Sequence, residues 1–149
     1  IITDGVHIPD SFIKVVMKVK GKSTILTSDA TRFTGMPPGE YRSHIGDTVI
    51  LDKDKRISLK SAPGLLAGSA KSLLENVECL LDHQLSTIGG AWQMASANAA
   101  DMLAANDDAF YHQDDRVIFQ VIENRIEVMR VMKSGRVVFE KGSIFKSAY

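Results

Sequence analysis

Apolar positions first recur at helical spacing at Phe12, Val15, Val16 and Val19. Pro9-Asp10-Ser11 ahead of them is a helix start and Gly21 a stop, so the spacing predicts a helix over Asp10–Val19. Ser23-Thr24-Ile25-Leu26-Thr27 is short, apolar and β-branched, the pattern of a buried parallel strand, and it runs into Ser28-Asp29-Ala30-Thr31. Residues 32–46 hold Gly35, Pro37, Pro38, Gly39 and Gly46, which predict a loop. Thr48–Leu51 and Arg56–Leu59 flank the polar tip Asp52-Lys53-Asp54-Lys55 and read as a hairpin. After Pro63-Gly64 the period returns to that of a helix. Leu73, Leu74, Val77, Leu80 and Leu81 form one apolar face starting near Ser69, and a second helix is predicted over Thr87–Leu103. The tail alternates instead. Arg116–Ile122, Arg125–Met132 and Arg136–Glu140, joined by Glu123-Asn124 and Ser134-Gly135, predict an antiparallel meander.

This order suits an α/β chain whose crossover helix Asp10–Val19 joins two neighbouring parallel strands. A complete (β/α)₈ barrel takes roughly 250 residues, and this chain has 149. It could therefore supply only the closing units of such a barrel. Its opening, Ile1-Ile2-Thr3-Asp4-Gly5, has no initiator Met and no charged leader. It reads as the inside of a strand, so a fragment of a longer protein is expected. The polar stretch Asn106–Asp115 is the expected boundary. The barrel portion would occupy 1–110, with the hairpin inserted at about 47–60, and the terminal strands 111–149.

Composition narrows the function classes more than it selects one. At 44% hydrophobic, 24% charged and 7% aromatic, the chain is an ordinary globular sequence. Eighteen basic residues balance eighteen acidic ones, so no nucleic-acid partner is expected. The apolar stretches are too short to span a bilayer, so no membrane partner is expected either. One cysteine, Cys79, rules out an internal disulfide and fits a reducing, cytoplasmic setting.

Asp29 is the carboxylate of most interest. It follows the apolar strand, where catalytic groups of α/β barrels project into a shared pocket. Capping the turn that follows would be an equally ordinary use for it. His7 lies two residues past Gly5, in a loop that would open on the same face, and it could bind a polar substrate or simply be exposed. His44, His83 and His112 are scattered, and neither HxH nor HExxH nor paired-Cys spacing occurs. No metal site is therefore expected from this chain alone. Gly35, Gly39 and Gly46 lack phosphate-loop spacing and read as turn residues. Ser69 is expected to cap its helix, with Cys79 and Trp92 filling core.

Four segments together resemble one family. They are Asp4-Gly5-Val6-His7, Leu26-Thr27-Ser28-Asp29-Ala30-Thr31, Leu66-Ala67-Gly68-Ser69 and Met94-Ala95-Ser96-Ala97-Asn98-Ala99-Ala100. Their order and content are similar to the C-terminal part of N-acetylglucosamine-6-phosphate deacetylases, of the amidohydrolase superfamily. The likeness runs over about residues 1–103 and more loosely through the tail. It implies the closing portion of a metal-dependent (β/α)₈ barrel plus antiparallel strands of a small β-sandwich. It also implies deacetylation of N-acetylglucosamine 6-phosphate, with Asp29 catalytic and His7, Leu66, Ala67 and Gly68 binding the sugar phosphate. The divalent metal ion, zinc or similar, would be bound mainly by residues outside this chain, and the enzyme would be a homodimer. Two departures stand out: Asn98-Ala99-Ala100 replaces the usual Asn-Pro-Ala, and Asn106–Asp115 replaces a glycine-containing lead into the tail strands. The alternatives are an amidohydrolase acting on a different amide, or a non-catalytic binding domain in which Asp29 is merely a cap.

Overall fold

The structure, a computed structural model, describes residues 1–43, 46–104 and 114–143. They fall into two compact units, Ile1–Ala99 and Ala100–Tyr149. His44, His112 and most of the expected boundary Asn106–Asp115 lie outside the described residues.

In the first unit, helix α1 covers Asp10–Lys20, begun by Pro9 at φ −72° and ended by Gly21 at φ +49°. Its buried residue is Ile13. Phe12, Val15 and Val19 are all more than half exposed, so the stripe that marks the helix in the sequence faces outward. A short 3₁₀ turn, Gly21–Ser23, follows. The predicted parallel strand at 23–27 is not a strand in the structure. Its bonding nevertheless follows the parallel pattern at one point, since Ile1 N donates to Ile25 O at 2.6 Å and Thr27 N to Ile1 O at 2.9 Å. Thr3 N, which would make the next bond of that pattern, goes to Asn76 Oδ1 instead, so no ladder develops.

Four strands make an antiparallel sheet in the order β1-β2-β3-β4: Gly39–Arg42, Thr48–Leu51, Arg56–Leu59 and Leu66–Ser69. Two of these correct the sequence reading. β1 lies inside the predicted loop 32–46, because Tyr41 pairs with Val49 and stacks its ring 5.5 Å from that of Phe33. β4 stands where a helix start was expected. Ser69 does not cap a helix; it pairs with Arg56, and its Oγ accepts from Lys71 N at 3.1 Å. The core on this sheet is Phe33, Val49, Leu51, Ile57 and Ala70, which the alternation within β2 and β3 turns to one side.

Helix α2, Leu73–Asp82, is capped three residues later than Ser69, because Ser72 makes a full capping box with Glu75. Val77, Leu80 and Leu81 are its buried apolar residues. The single predicted helix over Thr87–Leu103 is two, α3 (Ile88–Ala95) and α4 (Ala97–Ala104). They break at Ser96, whose hydroxyl donates to Trp92 O at 2.6 Å. Trp92 is half-buried, and Asn98 is buried with its amide on Thr24 O at 2.6 Å.

The second unit contains the meander β5 (Arg116–Ile122), β6 (Arg125–Lys133) and β7 (Arg136–Glu140). Both turns have two residues at positive φ, Glu123-Asn124 and Ser134-Gly135, the geometry that matches the twist of paired strands. With one bulge in each ladder, Val117, Val121, Ile126, Val128, Val131 and Phe139 share a face. Val117, Val121 and Phe139 remain at least 40% exposed. Among the described residues, no helix is long and apolar enough to cross a membrane.

Candidate functional site

The site is built on the segment Thr3–His7. Thr3 is fully buried and clipped to α2: its N donates to Asn76 Oδ1 at 2.8 Å and its hydroxyl to Asn76 O at 3.0 Å. Asp4, 3% exposed, turns its carboxylate back on its own loop. Oδ1 accepts from Val6 N at 3.0 Å and His7 N at 3.1 Å, and Oδ2 lies 2.8 Å from His7 Nδ1. Burial alone would push this carboxyl up. The amide donors of His7 and Val6 and the His7 ring outweigh it and hold the group below its usual range. Lys71 Nζ donates to Asp4 O at 2.8 Å and pins the backbone from the side of β4.

The other ring nitrogen of His7 reaches toward the second segment. Nε2 is 3.8 Å from Asp29 Oδ2. Asp29 has φ +50°, a left-handed conformation that Asp tolerates better than most residues. Its carboxylate is 48% exposed and accepts no hydrogen bond among the described residues. Capping falls to others: Ser28 Oγ accepts Ala30 N at 3.2 Å, and Thr31 Oγ1 accepts Phe33 N at 3.3 Å. Asp29 is thus left as a half-exposed carboxylate beside an imidazole.

The third segment closes against it. Ser69 N donates to Asp29 O at 3.0 Å and Thr31 N to Ser69 O at 2.8 Å, a parallel bridge at Ala30 and Ser69. Just before it, β4 carries an extra residue against β3, and Gly68 has φ +86°. Any side chain at Gly68 would lie 3.6 Å from Asp29 Oδ2. Ala67 lines a cavity of about 460 Å³ together with Ala30, Thr31, Arg32, Phe33 and Val49, so that cavity adjoins the residues following Asp29. Leu66 is half-buried and paired with Ser58. The structure therefore gathers His7, Asp29 and Gly68, sets Ala67 beside them, and gives Leu66 a place in the sheet.

Sequence reasoning assigned no role to Asp4 or Lys71. The signal for Asp4 was the three-residue spacing from Asp4 to His7, which a tight turn converts into a contact. Lys71 carries no signal in sequence, since its partner is a carbonyl 67 residues away. Among the described residues, no three His, Cys, Asp or Glu side chains are grouped so as to hold a metal ion. Asp4 is consumed by its loop, leaving His7 and Asp29 as two donors, fewer than a protein site for a divalent ion usually provides.

No family model matches the chain. An N-acetylglucosamine-6-phosphate deacetylase from Vibrio furnissii is 29% identical over 140 residues, covering 93% of this chain and 34% of the relative. One from Lysinibacillus sphaericus is 25% identical over 138 residues, 92% of this chain and 35% of the relative. The crystal structure of the Thermotoga maritima enzyme of the same name superposes on 94% of this chain with a TM-score of 0.73 at 26% identity, covering 38% of that chain. The chain is similar to the C-terminal part of these deacetylases. It spans about a third of the length of the relatives it matches.

Proposed function

We propose that this chain is the C-terminal part of an enzyme that hydrolyses the acetamide of N-acetylglucosamine 6-phosphate, giving glucosamine 6-phosphate and acetate. The observation that carries this reading is Asp29: half-exposed, free of hydrogen bonds among the described residues, and 3.8 Å from His7 Nε2. A carboxylate so placed accepts a proton from water as it attacks the amide and returns it to the departing amine, general base and then general acid work. His7 orients the sugar through Nε2. Gly68, lacking a side chain, keeps the space in front of the Asp29 carboxylate clear. Ala67 lines the cavity alongside. A divalent ion, held mainly by residues outside this chain, would supply polarisation of the carbonyl.

The architecture proposed with it is the closing portion of a (β/α)₈ barrel. The parallel contacts of residues 25–31 with Ile1 and with Ser69 support that reading. The exposed apolar residues of the β5-β6-β7 meander support a sandwich, since three strands that expose so much apolar surface are complete only when covered.

The test is direct: incubate the longer protein with N-acetylglucosamine 6-phosphate and a divalent metal, and measure acetate and free amine. Equimolar release of both is expected. A protein that folds and binds the sugar phosphate but releases neither would make this a binding domain.

A further inference from the structure

The carboxylate nearest to His7 is not Asp29 but Asp4, and its geometry has a chemical consequence for the ring. Asp4 Oδ1 is taken by two backbone amides, which leaves Oδ2 to face Nδ1 at 2.8 Å. A carboxylate only accepts, so the proton of that contact resides on Nδ1. In neutral His7, Nε2 then carries a lone pair. The ring has little freedom to escape this arrangement. Asp4 is 3% exposed, Thr3 before it is clipped to Asn76, and Lys71 holds the Asp4 carbonyl. Gly5 after it turns at φ +77° under Cys79, whose Sγ would be 3.2 Å from a β-carbon there.

We propose that Asp4 is a positioning residue that fixes neutral His7 as the Nδ1–H tautomer, so that Nε2 and the Asp29 carboxylate face one another as two acceptors and select a ligand presenting hydroxyl or N–H donors to them. This deepens the reading of His7 and Asp29 as a ligand pair and rests on it. At 3.8 Å the two acceptors are too far apart to bond directly. A nitrogen or oxygen set off their axis lies roughly 2.9 Å from both, an ordinary hydrogen-bond length; an amino group or a water donates to both at once, a hydroxyl to one of them. Hydroxyl-rich and amino-bearing ligands meet that demand; ligands with only acceptors at that point do not.

The tautomer can be read without turnover. In the longer protein labelled with ¹⁵N-histidine, long-range ¹H–¹⁵N spectra above the imidazole titration distinguish the two neutral forms. His7 is identified by the signal lost in His7→Gln. Wild type is expected to show protonated Nδ1 and bare Nε2. In Asp4→Asn, the amide oxygen keeps the two backbone donors and the NH₂ turns to the ring, so the proton moves to Nε2. Turnover then falls by roughly 10–10²-fold, by analogy with outer partners of metal-ligating histidines. Either an Nε2–H wild type or an unchanged tautomer in Asp4→Asn overturns the proposal. The wild-type spectrum decides even if the variant does not fold. Absence of deacetylation would instead overturn the functional reading, and it would leave the tautomer result standing.

Discussion

Gly68 and Thr31 approach so closely that a β-carbon on Gly68 would stand 2.6 Å from Thr31 Cγ2. Their contact joins the end of β4 to the residues that follow Asp29. Gly68→Ala meets both that clash and a φ of +86°, and is expected to cost about 1–3 kcal/mol. Thr31→Ser removes the methyl and should restore part of the loss in the double variant, but not the part due to φ. Equilibrium denaturation of the four species measures the coupling; strict additivity would mean that the two residues do not meet.

Asn76 joins α2 to Thr3: its Oδ1 and backbone O accept from Thr3, while its Nδ2 donates to Ser72 O at the start of its own helix. Asn76→Ala leaves Thr3 N buried without its partner, a loss of about 1–3 kcal/mol. A change within a few tenths of a kcal/mol in urea unfolding would show that water replaces the side chain.

Ser72 begins α2 with a reciprocal capping box. Ser72→Ala should lower stability by about 0.5–2 kcal/mol, and hydrogen exchange should quicken first in the opening turn of α2. Uniform quickening across the unit would point to a different cause.

Much of the fold is legible in the sequence where a local rule decides. Pro9 and Gly21 bound α1, alternation places β2 and β3, and Glu123-Asn124 and Ser134-Gly135 place the tail turns. What fails depends on distant partners. Nothing near Gly39–Arg42 reveals that Tyr41 will pair with Val49, so the Pro37-Pro38-Gly39 punctuation wins in the sequence. Leu66–Ser69 looks like a lead into a helix because the apolar run follows, but Arg56 and Asp29 draw it into strand. For the site, Asp29 and His7 are visible as residue types in suggestive places. Their 3.8 Å separation follows from the parallel contacts that hold 25–30, and Asp4 was hidden within the motif that pointed to His7.

Asp4 also gives the site a pH signature. Its carboxyl is held below its usual range in the fold, so its contribution to stability is fully present above the unfolded value of roughly 4. That contribution is lost as pH falls through the lower folded value. Stability of the wild type should therefore fall more steeply with acid below pH ~4 than that of Asp4→Asn. Parallel curves for the two proteins would separate Asp4 from acid sensitivity.

The central claim is that the Asp29 carboxylate moves protons during amide hydrolysis, and one kinetic comparison tests it. Asp29→Asn changes an oxygen for a nitrogen, and Asn adopts φ +50° readily, so the fold and the backbone bond from Ser69 should persist. Circular dichroism and thermal unfolding should match wild type. Turnover of N-acetylglucosamine 6-phosphate by the longer protein should fall by roughly 10²–10⁴-fold, because the amide can neither take the water's proton nor return it to the amine. Near-normal turnover in a folded Asp29→Asn protein would contradict the account and leave Asp29 a structural residue of its turn.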